Sequence, residues 1–164
     1  MPKTVICLWF DTEAEDAAQY YTSVWPDSEI LGVIRYGAEN PDREGQVMTA
    51  HFRLGDTEYV GLNGGPQNWA FTEAISFQIL CADQAEVDHY WDRLTDGGEE
   101  GPCGWLKDRF GVSWQVVPTR LMELQNDPDP ARRQRAVQAM FGMKKLVIAD
   151  LESAADAVPA QGRR

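Results

Sequence analysis

The sequence predicts an α+β fold made of two similar halves, each reading βαββ(β), with a helical extension behind them. Three observations carry the prediction. An internal repeat is offset by about seventy positions, the same strand-to-helix junction occurs at both copies, and the tail beyond Pro118 has no counterpart in the first half.

In the first copy, Val5 to Phe10 (VICLWF) is a short β-prone run that leads into Asp11-Thr12-Glu13-Ala14-Glu15. Thr12 and Glu15 have capping-box spacing, so a helix is expected to start there. Its apolar positions Ala14, Ala17, Ala18, Tyr21 and Val24 fall on one helical face, and Pro26 stops it. In the second copy Ile75 to Cys81 (ISFQILC) is the strand, Asp83 and Glu86 repeat the box spacing, and Val87, Tyr90, Trp91 and Leu94 follow. Tyr21 and Trp91 stand seventy positions apart, as do Ala17 and Val87.

After each helix the pattern changes to short strands separated by turns. The first half offers Ile30 to Tyr36, Val47 to Leu54 and Glu58 to Leu62. In the second, a Gly97-Gly98 loop leads to Trp105-Leu106-Lys107, a turn at Asp108 to Gly111, and Val112 to Val117. In the tail, Asp129-Pro130 supplies an N-cap and a proline at the first helical position. Ala136, Val137, Met140 and Phe141 mark an apolar face, Gly142 ends the helix, Leu146-Val147-Ile148 reads as a further strand, and an acidic helix from Asp150 frays into PAQGRR. The division is therefore 1–66, 67–120 and 121–164: a first module, a second module and the extension, together one compact structural unit.

Charge and cysteine content narrow the partners. A net charge of −11 from 26 acidic and 15 basic residues repels phosphate backbones and anionic headgroups, so neither nucleic acid nor a membrane surface is expected. Three cysteines without a C-x-x-C pair fit a reducing compartment. The six-residue apolar run near the N-terminus is too short for a signal segment or a span, and a cytoplasmic location is expected.

The segments LWFDTEAEDAAQYY, LNGGP, FTEAISFQI, GGEEGPCGWLKDRFGVSWQVVP and MKKLVIADLE resemble the PhnB-like branch of the vicinal oxygen chelate superfamily, often labelled demethylubiquinone methyltransferase-like. That superfamily includes glyoxalase I, extradiol dioxygenases and bleomycin-resistance proteins. The resemblance runs from about Val5 to Glu152. It implies two βαβββ modules whose curved sheets form an incomplete barrel around a cavity, commonly completed in a homodimer. It also implies, for the metal-dependent members, a divalent ion held by His, Glu or Gln from the first and last strands of each module.

Carried onto this chain, the resemblance leaves that ligand set incomplete. The histidine position before the second helix falls on Ser76, the late-strand acid position falls on Gln115, the first module's Tyr59 to Asn63 holds no acid or histidine, and its first strand offers only Cys7. Of the two histidines, His89 is expected on the solvent face of its helix, and His51 is the one with a view of the cavity. Neither a standard metal site nor a cofactor is expected.

Strand alternation groups the candidates. Ser76 and Gln78 share one side of their strand, opposite Ile75, Phe77, Ile79 and Cys81; Ser113 and Gln115 share one side of the last strand, opposite Val112, Trp114 and Val116. With Trp105 or Trp9 as an apolar wall, Ser76, Gln78, Ser113 and Gln115 form a neutral polar lining suited to an uncharged or weakly polar small molecule. The alternative is that these residues face solvent on half-buried sheets.

Cys103 has no histidine partner in sequence and reads as structural, Lys107-Asp108-Arg109 reads as turn chemistry, and Asn63-Gly64-Gly65-Pro66 reads as a tight turn that allows close backbone approach. The first strand enters its helix without the glycine-rich turn of a Rossmann methyltransferase. Three functions remain open: a small-molecule-binding protein, a divalent-metal lyase, isomerase or dioxygenase using His51 and Gln115, and an interaction protein. No catalytic residue is assigned. A homodimer is expected, because short modules expose sheet edges and the face of Val137, Met140 and Phe141 needs cover.

Overall fold

The computed structural model describes residues 2–157, which fall into two compact units that divide between Ala70 and Phe71. The first runs β1 (Ile6–Phe10), α1 (Ala14–Val24), β2 (Ser28–Arg35), β3 (Val47–Leu54) and β4 (Thr57–Asn63). Its sheet has the order β1-β4-β3-β2, with β1 and β4 parallel and the other neighbours antiparallel.

The five apolar positions predicted for α1 are all buried, against Leu8, Phe10, Ala50, Phe52, Leu54 and Tyr59 of the sheet. Tyr21, Phe52 and Tyr59 stack in sequence, with ring centroids 5.8 and 5.2 Å apart. The alanines let the helix lie close: a methyl group at Gly61 would stand 3.0 Å from Ala14 Cβ. The Thr12/Glu15 capping box does not form. The N-cap is Glu13 without a side-chain cap, and Asn63 Oδ1, at the end of β4, accepts from Ala14 N–H at 2.9 Å. A buried amide from across the sheet has replaced the local box because it satisfies several backbone groups at once.

The second unit repeats the plan with β5 (Phe77–Cys81), α2 (Gln84–Thr95), β6 (Glu99–Glu100), β7 (Trp105–Lys107) and β8 (Ser113–Pro118), in the order β5-β8-β7-β6. Both halves are thus βαβββ, each with a four-stranded mixed sheet. Here the first half of the box forms, Asp83 Oδ1 accepting from Glu86 N–H at 2.9 Å, while Glu86 Oε2 reaches one residue past the N-cap and accepts from Ala82 N–H at 2.7 Å. Val87, Trp91 and Leu94 are buried with Ile79, Cys81, Leu106, Trp114 and Val116. Ile75 does not join that apolar side, because it precedes β5 and is largely exposed. The two-residue β6 occupies what the sequence presents as the end of a glycine loop.

The turn between β7 and β8 is built by Asp108. Its Oδ1 accepts from Phe110 N–H (2.9 Å) and Val112 N–H (3.1 Å), while Oδ2 accepts from the Trp114 indole at 2.8 Å. Gly111, at φ 83°, closes the turn where a side chain would be strained.

Three helices follow: α3 (Thr119–Gln125), α4 (Pro130–Phe141) and α5 (Ile148–Asp156). Asp129 caps α4 through Ala131 N–H, as its sequence predicts. Leu146-Val147-Ile148 is not a strand. Leu146 enters a buried cluster with Leu121, Leu124, Ala136, Leu151 and Ala155, Val147 is the N-cap of α5, and Ile148 begins it. Gln84 of α2 makes this junction, accepting from Ile148 N–H at 2.8 Å and donating to Leu146 O at 3.2 Å. The apolar run is therefore a core anchor followed by a helix start. On α4, Ala136 is buried but Phe141 is 69% exposed. PAQGRR lies outside the described residues.

Candidate functional site

Register places the candidate residues of the second unit side by side. Gln78 pairs with Gln115 across β5 and β8, and Gln115 pairs with Trp105 across β8 and β7, so the three form one lateral row on the face away from α2. Gln115 is the centre of a hydrogen-bonded chain: its Oε1 accepts from Gln78 Nε2 at 3.2 Å, and its Nε2 donates to Ser76 Oγ at 2.8 Å. Lys107 and Ser113 form the next row, again directly opposite each other. The neutral grouping of Ser76, Gln78, Ser113, Gln115 and Trp105 expected from alternation is thus brought to one sheet face.

A cavity of about 330 Å³ opens beside it, lined among others by Glu73, Glu99, Pro102, Trp105, Lys107 and Ser113. Ser113 is the most buried of these at 1% exposure, and its Oγ has no hydrogen-bond partner among the described residues. Lys107 Nζ pairs with Glu73 Oε1 at 2.7 Å. That bond, with the Glu99 charge nearby, holds the Lys107 ammonium above its ordinary pKa, and the same bond holds the Glu73 carboxyl below its own. The lining is therefore not wholly neutral. Lys107, which the sequence assigns to a turn, faces the cavity, while Arg109 pairs with Asp96 at 2.9 Å.

In the first unit, the equivalent row runs from Cys7 through Val60 to His51. Val60 takes the place that Gln115 has in the second unit. Trp9, two residues beyond Cys7, shares that face. Its indole donates to Gly65 O at 3.0 Å and meets Trp69 edge-on at 5.3 Å. A side chain at Gly64 would overlap the Trp9 ring, which explains the LNGGP loop as a close backbone approach beneath a tryptophan. His89 is half-buried rather than solvent-facing, with its ring 5.0 Å from Tyr90.

The first unit also has a cavity that the sequence did not reveal, about 460 Å³ and lined by residues including Asp11, Glu15, Asp16, Tyr36, Arg43 and Asn63. Arg43 donates to Tyr36 Oη at 3.1 Å and to Asn63 O at 3.3 Å. The one signal in the sequence is the charged β2–β3 connection GAENPDREG, whose folding back over β4 depends on contacts distant in the chain.

The metal that the superfamily implies does not fit these donors. Gln115 is engaged by Ser76 and Gln78, and Val60 offers no donor at the matching position. Among the described residues, no group of three or more His, Cys, Asp or Glu is gathered to hold an ion. Two of the thiols are held from ionising by their environment: burial, helped by Glu86 and Asp83, pushes the Cys81 thiol to about 12, and burial also raises Cys7. Cys103 has φ 56° in a loop held by Cys103 N–H to Met143 O and Gly104 N–H to Lys144 O, both 2.7 Å.

Two βαβββ modules, each with a mixed four-stranded sheet, define a protein of vicinal oxygen chelate type. The chain belongs to the PhnB-like family: residues 2–117 match the family model described as 3-demethylubiquinone-9 3-methyltransferase. No curated protein matches the chain. Among solved structures, a putative 3-demethylubiquinone-9 3-methyltransferase, PhnB protein, from Bacillus cereus is 32% identical with a TM-score of 0.64, over 71% of this chain and 99% of that one. Protein PA1353 from Pseudomonas aeruginosa is 19% identical with a TM-score of 0.60, over 72% and 98%, and supports the fold alone. The family match ends before α3 begins.

Proposed function

We propose that this PhnB-like protein binds an uncharged or weakly polar small molecule on the open sheet face of its second module, without a standard metal site. The observation that carries the reading is the set of Gln78, Gln115 and Trp105 in one row, with Ser113 and the cavity alongside. Neutral amides and a hydroxyl beside an indole give orientation by hydrogen bonds and affinity by apolar contact. Methyl transfer from a nucleotide-type donor is not part of the reading. β1 enters α1 through Asp11-Thr12-Glu13 rather than a glycine-rich turn, and each sheet has a single parallel pair.

Thermal denaturation of metal-stripped protein against a panel of neutral metabolites and divalent ions tests this. The expected result is stabilisation by a neutral compound with no ion present. A stoichiometric, tightly held ion in the purified protein, required for any ligand to act, would overturn it.

The working form we propose is a cytoplasmic homodimer. Support comes from the edge strand β2, where Ile30, Leu31 and Ile34 are exposed, and from the three free thiols. No described helix is long and apolar enough to cross a membrane. Sedimentation at micromolar concentration checks the dimer, and a monomeric mass contradicts it.

A further inference from the structure

We propose that the second module's cavity selects ligands through a neutral carbonyl group, held jointly by Ser113 and Lys107, and rejects carboxylates of the same size. This rests on the small-molecule reading above and names the ligand class. Ser113 lines the cavity, and its Oγ is buried with no partner among the described residues. A buried hydroxyl without a partner is costly, and a bound acceptor would satisfy it. Lys107 stands directly opposite Ser113 on β7, which puts their Cβ atoms about 5 Å apart. Its ammonium has three N–H donors, and Glu73 takes one. A hydroxyl and an ammonium donor therefore come from directly facing residues of the same cavity lining, a pairing that suits a carbonyl oxygen.

The rest of the lining sets the charge. Glu73 and Glu99 act on the single Lys107, and Glu100 is already paired with Lys144, so the lining is net negative and an added carboxylate meets repulsion while a neutral carbonyl does not. Trp105 and Pro102 provide flat apolar surface for the body of the ligand.

Benzamide, benzoate and benzylamine are matched probes for this inference, with dissociation constants measured by NMR titration of the full chain. Benzamide is expected to bind at least about tenfold more tightly than benzoate. Ser113→Ala and Lys107→Met are each expected to weaken benzamide by about three- to tenfold, the loss of one hydrogen bond. Ser113→Ala removes a hydroxyl that no described group uses, so its folding should be unaltered; Lys107→Met supplies an independent arm. Benzoate or benzylamine binding as tightly as benzamide, or benzamide indifferent to both substitutions, overturns the carbonyl inference and leaves the small-molecule reading in place. If no probe binds and no neutral compound stabilises the protein, both fail together.

Discussion

Asn63 and Ala14, forty-nine positions apart, share a buried hydrogen bond of 2.9 Å that starts the first helix. The same carboxamide donates to Thr12 O at 3.0 Å and Val47 O at 3.1 Å, so one side chain ties together β4, the start of α1 and the start of β3. Asn63 is 5% exposed and Ala14 fully buried, so the Ala14 N–H has no ready access to water once the amide is gone.

Asn63→Ala is therefore expected to destabilise the protein by about 2–4 kcal/mol, with Asn63→Asp less harmful because it keeps the acceptor. Urea denaturation followed by tryptophan fluorescence measures both. A loss below about 0.5 kcal/mol for the alanine variant would show that the cap is dispensable.

The ion pairs of α2 with the tail should show a defined acid dependence. Lys145 Nζ lies 3.0 Å from Asp88 Oδ1, and hydrogen bonds from Gln84 and Lys145 hold the Asp88 carboxyl below its ordinary 3.8. A carboxyl depressed on folding contributes stability that is present above its unfolded value and lost as pH falls through the folded one. Lys145→Met is expected to cost at most about 1 kcal/mol at pH 7, since the pair is partly exposed, and the difference from the parent should vanish below the Asp88 transition. Denaturation midpoints measured from pH 7 down to acid check this. A difference that persists in strong acid would assign the role of Lys145 to packing.

Thiol chemistry offers a second check on the core. With Cys81 pushed to about 12, it should resist a disulfide reagent at pH 8 in the native protein and react only after unfolding. Titration of three thiols in denaturant but no more than two in the native state is expected. Three rapidly reacting native thiols would contradict the placement of Cys81 under α2.

The two helical faces were readable in the sequence because Ala14, Ala17, Ala18, Tyr21 and Val24, and likewise Val87, Trp91 and Leu94, obey a short-range period set by burial. Alternation likewise put Ser76 with Gln78 and Ser113 with Gln115, since a strand has only two faces. What escaped is non-local. The Asn63 cap and the Gln84 clamp on Ile148 depend on amides arriving from distant elements. Glu99–Glu100 form a strand through pairing with β7, against their own weak β preference. Leu146-Val147-Ile148 looks like a strand because an apolar run of three carries no period. The cavity place of Lys107 became visible only through its register with Ser113.

The most direct test of a metal-independent binding face is an amide and side-chain NMR map of a neutral, stabilising ligand added to metal-stripped protein. Shifts are predicted at Gly101, the Trp105 indole, Lys107, Ser113 and the Gln115 carboxamide. Shifts that avoid all five, or that arise only after a divalent ion is restored, would contradict it.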